Sequence, residues 1–329
     1  MTGPHRAIAA TRVAVRRELA RIAQVEHEGI VLVACSGGAD SLALAAAVAF
    51  EAPRTGLSAG AVVVDHGLQE GSSAVAEHSA DQCRGLGLDP VEVVTVQVAS
   101  CGSGPEAGAR DARYKAFEDV AQRVGAVAVL LGHTRDDQAE QVLLGLARGS
   151  GARSLSGMPA RRGRYLRPFL GVARATTVAA CQAAGLTAWS DPHNSDPAYG
   201  RVRARALLPL LETELGLGTV AALARSADLL REDADALDDL AVAARAELGP
   251  EPIGAAGLLR LPRAIRTRVW RLLALEAGCP PGALIASQVD SLDTLVTHWR
   301  GQGPVDLPGR VQGSRSGGRV LVAATRRVE

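Results

Sequence analysis

GIVLVACSGGADSLALAAAVAF, residues 29–50, decides the fold of this 329-residue chain. The part that ends at Cys35 is a short run of apolar, largely β-branched residues, which is typical of a buried strand. Gly37 and Gly38 then permit a tight turn, and the alanine- and leucine-rich remainder favours a helix. The stretch therefore predicts a strand, a tight turn and a helix, in that order.

The same alternation of strand and helix continues through the first half of the chain. Further apolar strands are predicted at residues 60–67, 90–98 and 126–133, and helices at residues 72–87, 106–124, 135–147 and 173–184. Nearly continuous apolar strands that alternate with helices predict a parallel sheet covered on both faces. Residues 1–215 are therefore interpreted as a doubly wound α/β domain.

The second half of the chain differs from the first and follows a glycine-, arginine- and proline-rich zone at residues 148–199. Helical spacing of apolar residues recurs at 218–248, 264–277 and 284–299. It predicts a small α-helical domain over residues 216–300. Glycines interrupt the segment 305–323 in the manner of a β-hairpin, so residues 301–329 are expected to form a short β tail packed on that domain.

Composition and cysteine usage limit the class of protein. Hydrophobic residues make up 47% and charged residues 22% of the chain, which is ordinary for a folded globular protein. The five cysteines are scattered and never spaced as C-x-x-C, so neither a disulfide framework nor a zinc or iron–sulfur site is indicated. Because no apolar run approaches the ~20 residues of a membrane span and the N-terminus lacks a signal-peptide core, we expect a cytoplasmic protein.

The formal net charge is only +1, but the positive charge is concentrated in one part of the sequence. Between Glu140 and Asp191 there is no acidic residue. The arginines of this segment and of the one that follows are Arg148, Arg153, Arg161, Arg162, Arg164, Arg167, Arg174, Arg201, Arg203 and Arg205. A run so free of carboxylates predicts a surface that faces a polyanion.

The turn after the first strand has the residues of an anion site. Backbone N–H groups at a helix N-terminus attract anions, glycines allow close approach, and Ser36 and Ser41 add hydroxyl donors. The motif lacks the Gly-Lys-Ser/Thr ending of a Walker A loop and the spacing of a dinucleotide-binding fingerprint. SGGADS, residues 36–41, instead resembles the S-G-G-x-D-S loop of the N-type ATP pyrophosphatases, the PP-loop superfamily. The resemblance implies that ATP is cleaved to AMP and pyrophosphate while an oxygen is adenylated.

Further motifs are similar to elements of one family within this superfamily, the tRNA(Ile)-lysidine synthetases. They are VDHGL at 64–68, EAGARDARY at 106–114, LGHTRDDQAE at 131–140 and RGSG at 148–151. The resemblance continues at Asp191, Pro192, Asn194, Asp196, Tyr199 and Arg201. Two departures are Val202, where the family commonly has asparagine, and Gln141, where threonine is usual. The motifs cover most of the first 215 residues.

The resemblance implies roles for individual residues in the use of ATP. The residues expected to bind the nucleotide are Ser36, Gly37, Gly38, Ala39, Asp40, Ser41, Asp65, His66 and His133. Asp40 is expected to hold Mg²⁺ as well. Arg110 and Arg113 lie three residues apart on one helix face and could meet the α-phosphate as its negative charge develops. Together with Asp137, these three residues form the expected catalytic set.

An acidic cluster is expected to bind the second substrate, which the resemblance implies to be L-lysine. Asp136, Asp137 and Glu140 fall on the first turn of a predicted helix, at spacings that put them on one face. Carboxylates on one face suit an ammonium group. They would orient the cation, and one of them could accept a proton before the ε-amine attacks.

The resemblance implies a two-step ligation. ATP would adenylate the oxygen at carbon 2 of the wobble cytidine in an isoleucine tRNA with a CAU anticodon, and lysine would then displace AMP. Arg148, Arg201, Arg203 and Arg205 are expected to contact the tRNA. Two alternatives stay open at this stage: a PP-loop tRNA thiolase, and a non-catalytic ATP-binding regulator. The oligomeric state is also left open, with a homodimer as one alternative.

Overall fold

The computed structural model describes residues 3–26, 28–65, 67, 71–96, 105–149, 151–190 and 196–325, apart from the side chains of residues 105–107. The chain divides into two compact units, Met1–Leu229 and Leu230–Glu329. This division falls within a long helix, and the predicted domain boundaries after residues 215 and 300 stay predictions.

The first unit alternates strands and helices. Its described helices are α1 (Arg6–Ala23), α2 (Ala39–Glu51), α3 (Ser72–Gly85), α4 (Pro105–Arg123), α5 (Arg135–Ala147), α6 (Ala152–Leu155), α7 (Arg174–Ala183), α8 (Gly200–Leu215) and the first part of α9 (Thr219–Glu247). Its described strands are β1 (Ile30–Cys35), β2 (Ser58–Asp65), β3 (Val91–Thr95), β4 (Ala126–Leu131), β5 (Arg161–Arg162) and β6 (Tyr165–Leu166). The strand–turn–helix predicted for residues 29–50 is thus confirmed as β1, a turn and α2.

These described strands form one sheet in the order β3-β2-β1-β4-β6-β5. The pairs from β3 to β6 are parallel, and only the two-residue edge strand β5 is antiparallel to its neighbour among the described strands. In the centre, Val33 lies opposite Ala61 on one side and Leu130 on the other. The sequence had indicated no strand at β5 or β6, because two residues are too few for a periodic pattern.

Side chains of β1 alternate between two hydrophobic cores, one on each face of the sheet. Val31, Val33 and Cys35 pack into a core with α1, α2, α3 and α7, whereas Leu32 and Ala34 pack into a core with α4. This alternation follows from the two-residue period of a strand. Because helices cover both faces, the predicted doubly wound α/β fold is confirmed.

The second unit is smaller and combines helices with an antiparallel sheet. Besides the rest of α9, its described elements are β7 (Ile253–Gly254), α10 (Ala255–Arg260), α11 (Arg263–Glu276), α12 (Ala286–Thr297), β8 (Val305–Leu307), β9 (Val311–Ser316) and β10 (Arg319–Ala324). The strands are ordered β7-β10-β9-β8. The helices and the sheet share one core around Trp270 and Leu292. The tail is therefore more than the predicted hairpin, because β7 and β8 extend it on either side.

No single helix in the described part of the chain is long and apolar enough to cross a membrane. The bent pair of α8 and α9 has the length and composition of a membrane span only when the two helices are taken together.

Candidate active site

The turn between β1 and α2 is held in shape by its own hydrogen bonds. Ser41 Oγ accepts a hydrogen bond from the backbone N–H of Ser36 at 3.1 Å and donates one to the carbonyl of Gly38 at 2.9 Å. Gly37 has a φ of 76°, and a Cβ at this position would clash with the hydroxyl of Ser79. Ser41 is buried and Ser36 is exposed. Ser41 therefore braces the loop, and the hydroxyl of exposed Ser36 donates a hydrogen bond to Ser41 Oγ at 3.3 Å.

Two other segments pack directly against this loop. A Cβ on Gly132, just after β4, would lie 3.1–3.2 Å from backbone atoms of Asp40 and Ser41, so only glycine fits comfortably. The backbone N–H of Trp189 donates a hydrogen bond to the carbonyl of Gly37 at 2.9 Å. The carboxyl ends of β1 and β4 thus meet at one edge of the sheet, which is where ligands bind in open α/β folds.

A cavity of about 440 Å³ opens at this edge, within the first unit. Predicted site residues that line it are Ser36, Gly38, Asp40, Ser41, Asp65, Arg110, Arg113, His133, Asp137, Arg201 and Arg205. Arg174 and Trp189 line it too, although the sequence had assigned a site role to neither. Its volume lies in the range of roughly 300–1,000 Å³ that is usual for ligand sites. The fold therefore brings motifs from distant parts of the sequence into one ligand-sized space.

The wall formed by α4 contributes positive charge. Arg110 and Arg113 both line the cavity, and the Arg110 guanidinium lies 5.0 Å from the ring centroid of Tyr114. Tyr114 is itself packed edge-on against Tyr165, with ring centroids 5.0 Å apart. The aromatic contact orients a guanidinium without neutralising it, so its charge is available to an anion in the cavity.

His133 follows β4 and is surrounded by arginines. Burial, followed by the positive charges of Arg167, Arg201 and Arg110, lowers its pKa from 6.5 to about 4, although Asp137 opposes the shift. Its Nδ1 is buried and has no hydrogen-bond partner among the described residues. The imidazole is therefore neutral at physiological pH, with one ring nitrogen still to be satisfied.

Asp137 begins the acidic cluster and is fully engaged by protein donors. Its Oδ2 accepts hydrogen bonds from the backbone N–H and the hydroxyl of Thr134, at 2.6 and 2.7 Å. These bonds form a capping interaction at the start of α5. Its Oδ1 lies 2.6 Å from Nη2 of Arg174. Both carboxylate oxygens are thus occupied by groups of the chain itself.

Arg174, the first residue of α7, is the centre of the cluster. Its guanidinium reaches Asp137, Glu140 at 3.0 Å and Asp40 at 3.5 Å. Its backbone N–H donates to Oδ2 of Asp136 at 2.8 Å. One side chain therefore connects the turn between β1 and α2, through Asp40, with the carboxylates at the start of α5.

Two more side chains complete the network. Arg205, on α8, places its Nε 2.8 Å from Oε1 of Glu140 and its Nη2 3.8 Å from Oδ1 of Asp137. Glu140 is only 2% exposed and needs such partners, because an isolated buried carboxylate is costly. Thr177, one turn after Arg174, donates a hydrogen bond to Oδ1 of Asp40.

The ionisation of the cluster follows from these contacts. Burial alone would raise the pKa of Asp137, but Arg174 and the hydrogen bonds from Thr134 outweigh it and hold that pKa below its ordinary value. Burial likewise opposes the charge on Arg174, yet Asp137 and Glu140 raise its pKa. For Asp40, burial is the larger effect, and it raises the pKa despite Thr177 and Arg174. Arg174 and Asp137 are therefore a charged pair at neutral pH.

The other predicted site residues lie in different surroundings. Asp65 is buried at the end of β2, and its Oδ1 accepts a hydrogen bond from the backbone of Gly67 at 2.9 Å. Arg148 is exposed at the end of α5, and exposed Arg203 donates to the carbonyl of Ala198 at 2.9 Å. Neither arginine lines the cavity. His66 lies outside the described residues, as do residues 191–195 of the family motif.

Arg174 is the charged residue in the centre of this site that the sequence did not single out, and Thr177 and Trp189 were not singled out either. Arg174 had been counted only as one cation in the basic segment after Glu140. One signal was present: a cation at a helix N-terminus is opposed by the helix dipole, and α7 has no acidic residue in its first turn. Such a residue needs carboxylates from another part of the chain. The sequence does not say which ones, because they are supplied by tertiary packing.

Known proteins match this chain in sequence over nearly its whole length. The PP-loop domain family matches residues 11–211. A tRNA(Ile)-lysidine synthase of Thermobifida fusca (strain YX) is 59% identical, over 98% of this chain and 100% of that protein. A tRNA(Ile)-lysidine synthase of Streptomyces coelicolor is 54% identical, over 97% of this chain and 99% of that protein. Both relatives thus extend through the second unit as well as the first.

A solved structure is similar to this chain in fold. It is the U34-tRNA thiolase NcsA from Methanococcus maripaludis with its [4Fe-4S] cluster. The TM-score is 0.56 at 18% sequence identity, and the match covers 68% of this chain and 80% of that one. At this identity the similarity is evidence for the fold alone.

Proposed function

This chain belongs to the tRNA(Ile)-lysidine synthase family and contains its PP-loop domain, and from that membership we propose that it joins L-lysine to the wobble cytidine of an isoleucine tRNA. The tRNA would carry a CAU anticodon. One observation carries the proposal: the PP-loop, two arginines of α4 and Asp137 of the carboxylate cluster line a single cavity. The proposed polyphosphate site would thus lie beside the proposed cation site, which is what an ATP-dependent amine ligation requires.

The first step uses the positive side of the cavity. The oxygen at carbon 2 of cytidine attacks the α-phosphorus of ATP, and pyrophosphate leaves. The loop amides and the Ser36 hydroxyl would hold the leaving phosphates, since Ser41 is committed to the loop itself. Arg110 and Arg113 would stabilise charge at the α-phosphate. His133, neutral and with Nδ1 unsatisfied, would contact the nucleotide or the flipped base.

Asp40 is the proposed Mg²⁺ ligand, and its surroundings set a condition. A single carboxylate is enough for Mg²⁺, which keeps several waters and binds substrate phosphates as well. No set of three or more metal-binding side chains occurs in the part of the chain that the structure describes. The Asp40 oxygens now face Thr177 and Arg174. Asp40 fits the metal if one of these partners gives way, and the ion would then neutralise phosphate charge.

The second step uses the acidic side of the cavity. The lysine ammonium would be held by Asp137, on the first turn of α5, and by Glu140, three residues further along the helix. A carboxylate would accept the proton that the ε-amine loses, after which the amine attacks carbon 2 and AMP departs. Burial and fixed partners already order these carboxylates, so their own side chains would need little reorientation before the attack.

The tRNA is the largest partner and would be held mainly through its phosphates. The arginines proposed to contact it are Arg148, Arg201, Arg203 and Arg205. The first three line the cavity or lie exposed, whereas Arg205 is also bound to Glu140. We include the second unit in tRNA binding because so large a substrate needs contacts beyond one active site. A cytoplasmic location fits this partner, and a homodimer stays a proposal without further support.

A tRNA thiolase is the alternative function with a specific observation in its favour. Cys35, beside the PP-loop, has its pKa lowered to about 7, chiefly by a hydrogen bond with Cys83. The sequence had indicated no such pair. Both thiols are buried, at 3% and 0% exposure, which suits packing better than sulfur transfer to a tRNA base. A non-catalytic ATP-binding regulator is disfavoured by the intact carboxylate cluster.

The test of the proposed function is transfer of labelled lysine to tRNA, measured with and without ATP. Incorporation that requires both ATP and tRNA is expected. Sulfur incorporation from a labelled donor would favour the thiolase instead. ATP binding without either transfer would favour the regulator.

A double variant, Asp137→Asn with Glu140→Gln, tests the division of the cavity into two sides. Lysine binding should weaken by roughly the 2–5 kcal/mol expected when a buried charge pair loses a partner. A single-turnover burst of pyrophosphate with tRNA should change much less. The matched control is Glu77→Gln with Asp81→Asn, two exposed carboxylates of α3 that pair with Arg84. Equal loss of both rates would mean that Asp137 and Glu140 serve the nucleotide or its metal.

A further inference from the structure

The carboxylates proposed to receive lysine are already bound to a cation of the chain. We propose that Arg174 takes the place of the lysine ammonium in the free enzyme and withdraws toward the PP-loop when ATP is bound, so that lysine binds after ATP. The inference rests on the proposed function and assigns an order to its two small substrates. It makes Arg174 a positioning residue that links the two sides of the cavity.

The first argument is that Asp137 and Glu140, the two carboxylates proposed to hold lysine, are already bound to donors of the chain. Oδ2 of Asp137 is taken by Thr134 and Oδ1 by Arg174 at 2.6 Å. Oε1 of Glu140 is shared by Arg174 and Arg205, at 3.0 and 2.8 Å. A second cation at these oxygens would lie within a few ångströms of a guanidinium, and this repulsion in a poorly solvated site is strong. Lysine therefore has to displace a guanidinium.

The second argument is the balance of charge. In the ion pairs of the described residues, the carboxylates of Asp40, Asp137 and Glu140 meet two guanidinium groups, those of Arg174 and Arg205. If Arg174 leaves the carboxylates of α5, then Asp137 and Glu140 keep Arg205 alone and lack one positive charge. One ammonium supplies it. The cluster is thus suited to exchange one cation for another, because buried carboxylates need a partner in either state.

The third argument is that Arg174 has a second place to go. Its Nε already lies 3.5 Å from Oδ2 of Asp40, on the first turn after the PP-loop. Its side chain is 21% exposed and lines the cavity, whereas Glu140 behind it is almost inaccessible. Phosphates held by the loop would add negative charge on the Asp40 side, and a guanidinium pairs readily with phosphate oxygens. A small movement of this side chain therefore exchanges partners without moving a helix.

Arg205 is not equivalent to Arg174 in this exchange. It contacts Glu140 through Nε at 2.8 Å, but Asp137 only at 3.8 Å, and none of its described contacts reaches the PP-loop. It therefore stays with Glu140 in both states. Arg174 alone among the described arginines bonds both Asp40 and the carboxylates of α5.

The experiment measures lysine affinity by equilibrium dialysis of the full chain, with and without an ATP analogue that has a methylene between its α- and β-phosphates. In the wild-type protein the analogue should tighten lysine binding by roughly 5- to 150-fold, the usual size of coupling between sites. Arg174→Gln should bind lysine without nucleotide more tightly than the wild type does, and the analogue should add little. By reciprocity, lysine should tighten analogue binding to the wild type by the same factor.

The matched control is Arg123→Gln, since Arg123 forms an exposed ion pair with Glu92 at the far end of α4 and should leave the wild-type ratio unchanged. If Arg174→Gln does not fold, Arg174→Lys is the second variant, because it retains a cation. Its ratio of lysine affinity with the analogue to that without it should stay above one but below that of the wild type. Equal lysine affinity with and without the analogue in the wild type would overturn the proposal. The proposal would also be overturned if the analogue tightened lysine binding to Arg174→Gln by the same factor as in the wild type. Lysine binding without coupling leaves the proposed function standing, whereas absence of any lysine binding contradicts both.

Discussion

Each of the two units contains an arginine–carboxylate network, and the two networks differ in whether their positive and negative charges are equal in number. In the second unit, Arg266 donates to both oxygens of Asp293, at 2.6 and 3.0 Å, and to the carbonyl of Leu261 at 2.8 Å. The indole of Trp270 donates to Asp293 as well, at 3.1 Å. We call these three side chains, Arg266, Asp293 and Trp270, the Arg266 network. Its charges are balanced one to one, and it lies in the core.

The network of the first unit, Arg174 with Asp40, Asp137 and Glu140, is here called the Arg174 network. It too joins an arginine to carboxylates, but all of its members except Glu140 line a cavity of about 440 Å³. Its carboxylates outnumber its guanidinium groups even with Arg205 included. A balanced, enclosed pair stabilises a fold, whereas an unbalanced cluster beside a cavity is prepared for a charged ligand. Burial and pairing alone therefore do not distinguish a structural ion pair from a functional one.

The largest expected effect is on activity and concerns the Arg174 network. Replacing Ser36 and Asp40 together by Ala should lower ATP-dependent lysine incorporation by at least about 10²–10³-fold, because a phosphate donor and the proposed metal ligand are lost. Steady-state incorporation and thermal unfolding should be measured on the same preparation. Wild-type turnover in a folded double variant would remove the PP-loop from the mechanism.

The corresponding change in the Arg266 network should affect stability instead. Asp293→Ala leaves the buried Arg266 unpaired, so the free energy of unfolding should fall by about 3–5 kcal/mol. Urea unfolding measures this loss, and ATP binding by the first unit serves as the control. If Asp293→Ala lost ATP binding without losing stability, the distinction between the two networks would be wrong.

The next effect, in order of size, is a pH dependence that comes from His133. The folded protein keeps this imidazole neutral down to about pH 4, whereas the unfolded chain takes up the proton near pH 6.5. Between these values the unfolded state binds more protons, so stability is complete above pH 6.5 and falls as the pH is lowered. Between pH 7 and pH 4.5, His133 should lower the free energy of unfolding of the wild type by on the order of 2–3 kcal/mol, and His133→Gln should lack this loss. Urea unfolding of both proteins at the two pH values measures the difference.

The smallest expected effect concerns an arginine outside both networks. Exposed Arg148 should contribute one phosphate contact, so Arg148→Gln should weaken tRNA binding modestly and reduce its salt dependence by about one unit of slope. Titrations of tRNA at several salt concentrations measure the slope, with Arg123→Gln as the reference. An unchanged slope would mean that Arg148 does not contact a tRNA phosphate.

The sequence by itself determined the PP-loop and the order of strands and helices around it. Glycines at positions 37 and 38, the apolar run before them and the helical residues after them all act locally, because turn geometry and side-chain periodicity involve near neighbours in the chain. The sequence also predicted that the site lies at the carboxyl edge of the sheet, because ligands of open α/β folds bind where the parallel strands end. The tRNA(Ile)-lysidine synthases that this chain resembles match it over nearly its full length.

Only the tertiary structure decided how the charged groups are paired. Arg174 and Asp40 are far apart in the sequence, and no local rule connects a helix N-terminus with a carboxylate beside a distant loop. The pairing depends on α2, α5 and α7 meeting at one edge of the sheet. The two partners of Asp137 illustrate this difference. Thr134 lies three residues away, so its capping contact follows from local spacing. Arg174 is distant in the sequence, and only packing brings it to Asp137.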